Sequence, residues 1–534
     1  MWTGRRRCLV GGLLALVLAA NCLLRLRLVD VPLERDEGEY AYAGQLMLDG
    51  VAPYTQAYNM KLPGIYAAYA LILAIFGETH RAIHIGLLLV NAATVVVLFF
   101  LSRKMFGDLA AIGAACAFAV LSVGASVQGV FANAEHFVIL PACAGLFVLV
   151  SAKERDRLWP PFVGGVLLGL GFLMKQHGMA FVVFGALYLS VEGFQRKLPH
   201  KRLVSKSLLY GIGAALPFLV TCALLVKAGV FGKFWFWSYR YAREYVSTIP
   251  FSDGVEILGS RIGPITGSAR LIWVLAAIGV LATVFRKGSG THRLFAIGFA
   301  AFSVVAICPG FYFRPHYFVL LLPAVAILAG VGGEAICRLF GSARSSILAV
   351  MVPALLWVAV VGESVYKERE YLFSRSATQV SRQVYGSNPF PESLVIGRYI
   401  KEQSEEGAEV AILGSEPQIY FYSNRRSASG YIYTYALMES HPFALTMQED
   451  MIREIEESSP EFIVFVNVRT SWLLRPGSSD AIFRWFENYI RDYDCVAVVD
   501  VLGFDQTNYV WGEGAKSYTP ASGAWLKVYR SRRS

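Results

Sequence analysis

The stretch RDEGEYAYAGQLMLDGVAPYTQAYNMKLPG, Arg35 to Gly64, sets Asp36, Glu37 and Glu39 within four residues, then a run of tyrosines and a lone Lys61. It follows directly on an apolar segment, where so dense a charge cluster needs a reason. A carboxylate there can take the proton of an incoming hydroxyl. A lysine or arginine can hold a phosphate. Other ionisable groups flank later apolar runs: Arg81 and His84, Glu135-His136, Lys175-Gln176-His177, Arg240 with Arg243 and Glu244, and Arg314 with His316. Carboxylates and cations together suit cleavage of a bond between a sugar and a lipid phosphate. The leaving phosphate gains charge, which nearby cations stabilise. The acceptor hydroxyl needs a base on the opposite face of the sugar, and a lipid tail explains a site at the membrane.

These groups can meet only if the chain carries them to one side of a bilayer. The 534 residues are 55% hydrophobic and 16% charged, with mean hydropathy +0.48. Soluble domains carry about 25% charged residues, so repeated apolar runs here read as transmembrane helices. Spans are expected near 8–29, 79–101, 109–128, 137–152, 160–175, 178–194, 208–228, 268–285, 293–309, 317–339 and 346–363. Arg5-Arg6-Arg7, Arg103-Lys104, Lys153-Arg155-Arg157, Arg196 to Lys206, Arg286-Lys287-Arg293 and Arg338-Arg344 then all fall on one side. That asymmetry orients about eleven spans, with the N-terminus cytoplasmic and the C-terminus outside. The apolar stretch Leu62 to Phe76 is short for a crossing, and counting it would invert every later loop. It reads as a re-entrant or interfacial helix on the outer side. The first run could be a signal peptide, but its length and the spans after it favour an uncleaved helix.

The net charge of +10 sits mainly in short loops, as in membrane proteins, and no nucleic-acid motif competes. The eight cysteines show no metal spacing, and Cys495 stands alone in the polar C-terminal part. From about Ser364 the composition changes. Strands near Val410 to Leu413, Phe462 to Val468, Cys495 to Val501 and Trp525 to Tyr529 alternate with helices at Glu416 to Tyr422, Met447 to Glu457 and Asp480 to Tyr493. That pattern suggests a small extracytoplasmic α/β domain over 364–534, after a membrane domain over 1–363 whose first outer loop is 30–78.

Structural readings stand beside the chemical ones. Asp36-x-x-Glu39 is nearly a capping box, with Asp36 as N-cap. Asp36 and Glu37 are adjacent, so at most one serves as base. Lys61 and Lys175 could snorkel to headgroups. In the C-terminal part, Glu416, Tyr420, Arg425, Arg426 and Tyr431 could reach an acceptor, although a strand-to-helix connection with solvated arginines accounts for them more simply.

The stretch RDEGEYAYAGQLMLDG…KLPG resembles the first outer loop of GT-C superfamily glycosyltransferases, which include protein O-mannosyltransferase-like and aminoarabinose-transferase-like enzymes. Phe76-Gly77 with Arg81, and FRPHYFVLLLP from Phe313 to Pro323, add to the resemblance, as does a multispan body with an outer α/β domain. Leu62 separates Lys61 from Pro63, and Lys175-Gln176-His177 replaces a Lys-Gly-Pro, both departures from the pattern. The resemblance implies an inverting hexosyl- or pentosyltransferase using a polyprenyl-phosphate-linked sugar in the plasma (inner) membrane. Asp36, with Glu37 beside it, would be the general base. Lys61, Arg81, Lys175, Arg314 and His316 would bind donor phosphate or sugar. Glu135 and His136 would supply a second acid or meet the acceptor. A divalent metal (Mg or Mn) on Asp36 and Glu135 is left open. The acceptor could be a glycan, a lipid or a protein. The alternatives are a lipid-linked glycan flippase, which predicts polar groups lining a path through the bilayer, a ligase or polymerase using pyrophosphate-linked donors, and a non-catalytic scaffold.

Overall fold

The computed structural model describes residues 2–151, 157–285, 290–340 and 348–532. The basic loop residues Lys153, Arg155, Arg286, Lys287 and Arg344 lie outside them. Every expected span coincides with a helix: α1 (Trp2–Arg27), α4 (His80–Phe106), α5 (Asp108–Leu121), α6 (Ala134–Ser151), α7 (Trp159–Met174), α8 (Met179–Gln195), α9 (His200–Lys227), α13 (Arg270–Phe285), α14 (Gly290–Ile307), α15 (Leu322–Phe340) and α16 (Leu348–Lys367). Between them come α2 (Arg35–Leu48), α3 (Pro63–Phe76), α10 (Phe231–Trp235), a π-helical turn at Phe236–Tyr241, α11 (Ala242–Val246) and α12 (Phe251–Gly267). Among the described residues, seven helices are long and apolar enough to cross a membrane, and α12–α13, bent by 107°, makes an eighth if it is one span. α5 and α7 are apolar but shorter. The expected span 109–128 stops early because the chain turns at Ser122, and Arg25 donates to the carbonyls of Ser122 (2.7 Å) and Gly129 (3.1 Å).

Successive helices run up and down, so the ends assigned to the outer side meet in space. Gln128 meets His316 (2.9 Å), His177 meets the Ala306 carbonyl (2.7 Å), and Lys367 reaches the Gly267 carbonyl (2.9 Å). At the opposite end Thr291 donates to Gln195 (2.9 Å). Small residues let helices close: a Cβ on Gly279 would lie 1.9 Å from the Leu328 carbonyl oxygen, and one on Gly330 would lie 2.2 Å from that of Ala110. Such backbone approach is a common way for membrane helices to pack.

The C-terminal part opens with α17 (Ala377–Tyr385) and α18 (Phe390–Gln403). It then forms a six-stranded mixed sheet in the order β2-β1-β3-β6-β4-β5. Its strands are β1 (Glu409–Leu413), β2 (Arg426–Ser427), β3 (Phe462–Asn467), β4 (Tyr493–Val501), β5 (Thr507–Trp511) and β6 (Trp525–Ser531). β1 pairs in parallel with β2 and β3, and the other pairings are antiparallel. Helices α19 (Gln418–Ser423), α20 (Tyr435–Met438) and α21 (Ala444–Ser458) lie between β1 and β3 in sequence.

This sheet and the first outer loop share one core. Tyr40, Tyr42 and Leu46 of α2, Tyr66 and Tyr69 of α3, and Ile412, Tyr420 and Val464 belong to a single buried cluster. The Tyr42 and Tyr420 rings pack at a 32° tilt with centroids 5.1 Å apart, and the Tyr42 hydroxyl accepts from the Ser427 amide (2.8 Å). The approach is close enough that a Cβ on Gly38 would come within 2.6 Å of the Gln418 backbone. A fully buried aromatic in such a seam contributes about 3–5 kcal/mol. The helix that carries the acidic cluster is therefore clamped from both sides.

Candidate active site

Arg35, Asp36 and Glu37 are consecutive on α2, and steps of about 100° send them to three destinations. Glu34, not Asp36, is the N-cap. Its carboxylate accepts from the Glu37 amide (3.1 Å), and Glu37 answers by accepting from the Glu34 amide (3.0 Å), a complete capping box. Glu37 also accepts from the Ala132 amide (2.5 Å) and meets His84 (3.0 Å). It is fully buried and engaged on both oxygens, so the structure places Glu37 in the cap and against Ala132 and His84, outside the cavity lining. Arg35 turns the other way, into the C-terminal domain. It donates to the Ser415 carbonyl, Tyr435 (2.7 Å), Asn388 (3.1 Å) and Glu416 (2.7 Å).

Asp36 is left free of capping and faces a cavity of ≈140 Å³. Lys61, Lys175, Arg314, Tyr245, Tyr317 and Tyr433 share its lining. Lys61 donates to Asp36 Oδ2 (3.1 Å) and to the Tyr40 hydroxyl (3.2 Å). Tyr54 fixes the loop by donating to the Lys61 carbonyl (2.6 Å). The other Asp36 oxygen accepts from the Tyr433 hydroxyl (3.0 Å), so the C-terminal domain supplies one wall. Lys175 leaves the end of α7, pairs with Glu135 at the start of α6, and lies 4.2 Å from the centre of the Tyr317 ring. His316 stands 4.0 Å from Glu135, behind the lining. Arg314 donates to the Tyr245 hydroxyl (3.3 Å).

Charge is concentrated here with little water to screen it. Burial alone would raise the Asp36 carboxyl, but Lys61, Lys175 and Arg314 outweigh it and hold it well below the usual range. Burial would lower Lys61, yet the paired Asp36 outweighs it and holds Lys61 above the usual lysine range. Glu39 lies beneath the cavity, accepting from Tyr66 (2.6 Å) and Asn59 (2.7 Å), and burial pushes it up to about 8. Burial and the neighbouring Lys175 push His316 well below the usual imidazole range.

Two further expected residues stand apart. Arg81 pairs with Asp30 and its side chain is 63% exposed, so it is held at the surface instead of the cavity. His136 is fully buried and meets Asn91 (3.3 Å), because the first turn of α6 points Glu135 and His136 in different directions. The two carboxylates considered for a metal, Asp36 and Glu135, are not part of any group of three His, Cys, Asp or Glu side chains among the described residues. Asp36 and Glu135 each face a lysine instead. Tyr433 and Tyr435 escaped the sequence reading; tyrosines at every second position from Tyr431 to Tyr435 were their one signal. Glu416 is fully buried against Arg35 and Ser471 (2.6 Å), and Arg425 is buried among carbonyls of its own domain, so neither faces the cavity.

Comparison with known proteins bears on the whole arrangement. The family described as dolichyl-phosphate-mannose-protein mannosyltransferase matches residues 61–225. The chain is 30% identical over 223 residues to an undecaprenyl phosphate-α-4-amino-4-deoxy-L-arabinose arabinosyl transferase of Pseudomonas aeruginosa (strain UCBPP-PA14), covering 39% of each chain. A Pseudomonas fluorescens relative of the same name is 27% identical over 222 residues, 40% of this chain and 37% of its own. The match thus spans about two-fifths of the length of these curated relatives. In three dimensions the likeness runs end to end. ArnT from Cupriavidus metallidurans in the apo state superposes with TM-score 0.60 at 14% identity, over 97% of this chain and 98% of that one. The apo oligosaccharyltransferase of Archaeoglobus fulgidus gives 0.55 at 12%, over 95% and 75%. In fold, the chain is similar to these two membrane proteins along nearly its whole length.

Proposed function

We propose that this chain transfers a sugar from a polyprenyl-phosphate donor to an acceptor at the outer face of a plasma (inner) membrane, with the N-terminus cytoplasmic and 364–534 outside. The observation that carries this is one part-buried carboxylate, Asp36, paired with Lys61 (3.1 Å) and lining a single cavity with Lys175 and Arg314. Relatives point the same way: the curated ones are named for undecaprenyl phosphate-linked donors, and one ArnT structure is bound to undecaprenyl phosphate.

The donor phosphate would sit among the three cations, which hold it by charge-assisted hydrogen bonds. Its negative charge offsets theirs, so the carboxyl of Asp36 rises toward the ordinary range and becomes a better base. The acceptor hydroxyl gives its proton to Asp36 as its oxygen attacks the anomeric carbon. The bond from that carbon to the phosphate oxygen breaks, and the electron pair leaves on polyprenyl phosphate, stabilised by the same cations. One displacement inverts the anomeric centre. Glu135 holds Lys175 in place, and Tyr433 fixes the Asp36 rotamer.

Turnover of donors by the purified full chain tests the class. A polyprenyl-monophosphate sugar is expected to be transferred or slowly hydrolysed. Turnover of pyrophosphate-linked donors alone would replace this reading with that of a ligase or polymerase.

A further inference from the structure

A second cavity of ≈550 Å³ opens beside the first, and Tyr58 and Trp237 line both. We infer that this groove is a carbohydrate-binding site that presents the acceptor as a sugar ring. Its role as acceptor subsite rests on the transferase reading above; its affinity for sugar does not.

The partition between the cavities is built, not incidental. Tyr58 and Trp237 stack with centroids 5.6 Å apart and planes at 17°, and Tyr431 meets Tyr58 edge-on at 5.1 Å. The Tyr58 hydroxyl donates to Glu454 (3.2 Å) and accepts from Lys233 (3.3 Å). Trp237 lies in the π-helical turn, a geometry concentrated at functional sites. Phe236 and Phe443 continue the aromatic wall, in contact at 5.2 Å. Asp450 and Glu454, one turn apart on α21, line the same groove.

The class of ligand follows from what the walls offer. Most of the backbone here is helical, in α10, the π-helical turn and α21, so it presents no strand edge. In the intervening coil the Gly430 and Tyr431 amides are held by Glu454 (3.0 Å) and Ser429 (3.1 Å). An extended peptide would find no edge to pair with. Lys233 and Arg453 balance Asp450 and Glu454, leaving no net charge to collect a polyphosphate. An aromatic wall with carboxylate acceptors and cationic donors at its margin matches a neutral ring bearing hydroxyls. The volume falls in the ~300–1,000 Å³ range of small-molecule sites and suits one or two sugar rings.

The test is saturation-transfer NMR on the full chain in a non-glycosidic detergent, with neutral di- and trisaccharides of hexose and N-acetylhexosamine as probes. The comparison variants are Thr446→Trp, which fills the groove from an exposed position, and Asp450→Ala. At least one saccharide is expected to bind, and to weaken tenfold or more in both variants. Where a donor is turned over, the ratio of transfer to hydrolysis with that saccharide falls tenfold or more. No saccharide binding, binding indifferent to both variants, or displacement by a serine- or threonine-containing peptide overturns the inference. Saccharide binding that holds while no polyprenyl-phosphate sugar is ever turned over would keep the sugar site and discard the transferase reading.

Discussion

Arg35 couples the acidic helix to the C-terminal domain, and its removal has a calculable consequence. Its guanidinium is largely buried, and its partner Glu416 has a side chain 0% exposed. Arg35→Met leaves Glu416 charged, desolvated and facing only Ser471, and strips hydrogen bonds from Asn388 and Tyr435. Removing one partner of a buried ion pair costs about 3–5 kcal/mol. At 2–4 °C per kcal/mol for a unit of about 150–250 residues, the apparent Tm of the C-terminal domain should fall by about 6–20 °C. The assay is thermal unfolding in detergent by intrinsic fluorescence, with limited proteolysis locating the loosened part. Glu416→Gln in the Arg35→Met background should restore at least about 1 kcal/mol relative to the sum of the single changes, because contacting residues couple by 0.5–3 kcal/mol. Transfer should drop as well, since Tyr433 then loses its register on Asp36. A Tm shift under 2 °C, or additive single changes, would refute the claim that this pair ties the two parts together.

Other consequences are as direct. Lys61→Ala, Lys175→Ala and Arg314→Ala should each weaken donor binding by about 10- to 150-fold, the worth of a charged hydrogen bond at about 1.5–3 kcal/mol, read as donor Kd or KM. Arg81→Ala should leave transfer within about twofold of wild type, because its pair with Asp30 is exposed and such pairs contribute at most about 1 kcal/mol. Glu39 is raised from its ordinary 4.5 to about 8 in the folded chain. Both states bind its proton below pH 4.5. Between there and pH 8 only the unfolded chain ionises, so stability falls by about 1.4 kcal/mol per pH unit, then levels off. Thermal unfolding from pH 5 to 8 should show that decline, and Glu39→Gln should flatten it.

The membrane part was legible because its signals are local. Twenty-residue apolar runs placed all eleven helices, and the short apolar stretch from Leu62 to Phe76 is a separate helix, Pro63–Phe76. The strands at 409–413, 462–467, 493–501 and 525–531 were readable from β-branched alternation. β2, with two residues, and β5, whose tyrosine and tryptophan stand beside Asn508, gave no such pattern. Capping was misassigned by two residues: Asp36-x-x-Glu39 and Glu34-x-x-Glu37 fit the same motif, and only the fold selects the second. Tyr433 meets Asp36 across 397 positions of sequence. Nothing local encodes that contact, which depends on how the C-terminal sheet docks on α2.

The measurement that bears most directly on the central claim is single-turnover transfer by Asp36→Asn with saturating donor, beside a donor-binding titration and a thermal-unfolding control. The account predicts a folded variant that still binds donor and is slowed about 10²- to 10⁴-fold, the usual worth of a positioned base. A variant that transfers within tenfold of wild type, or that loses donor binding while the chemical step keeps its rate, would contradict it.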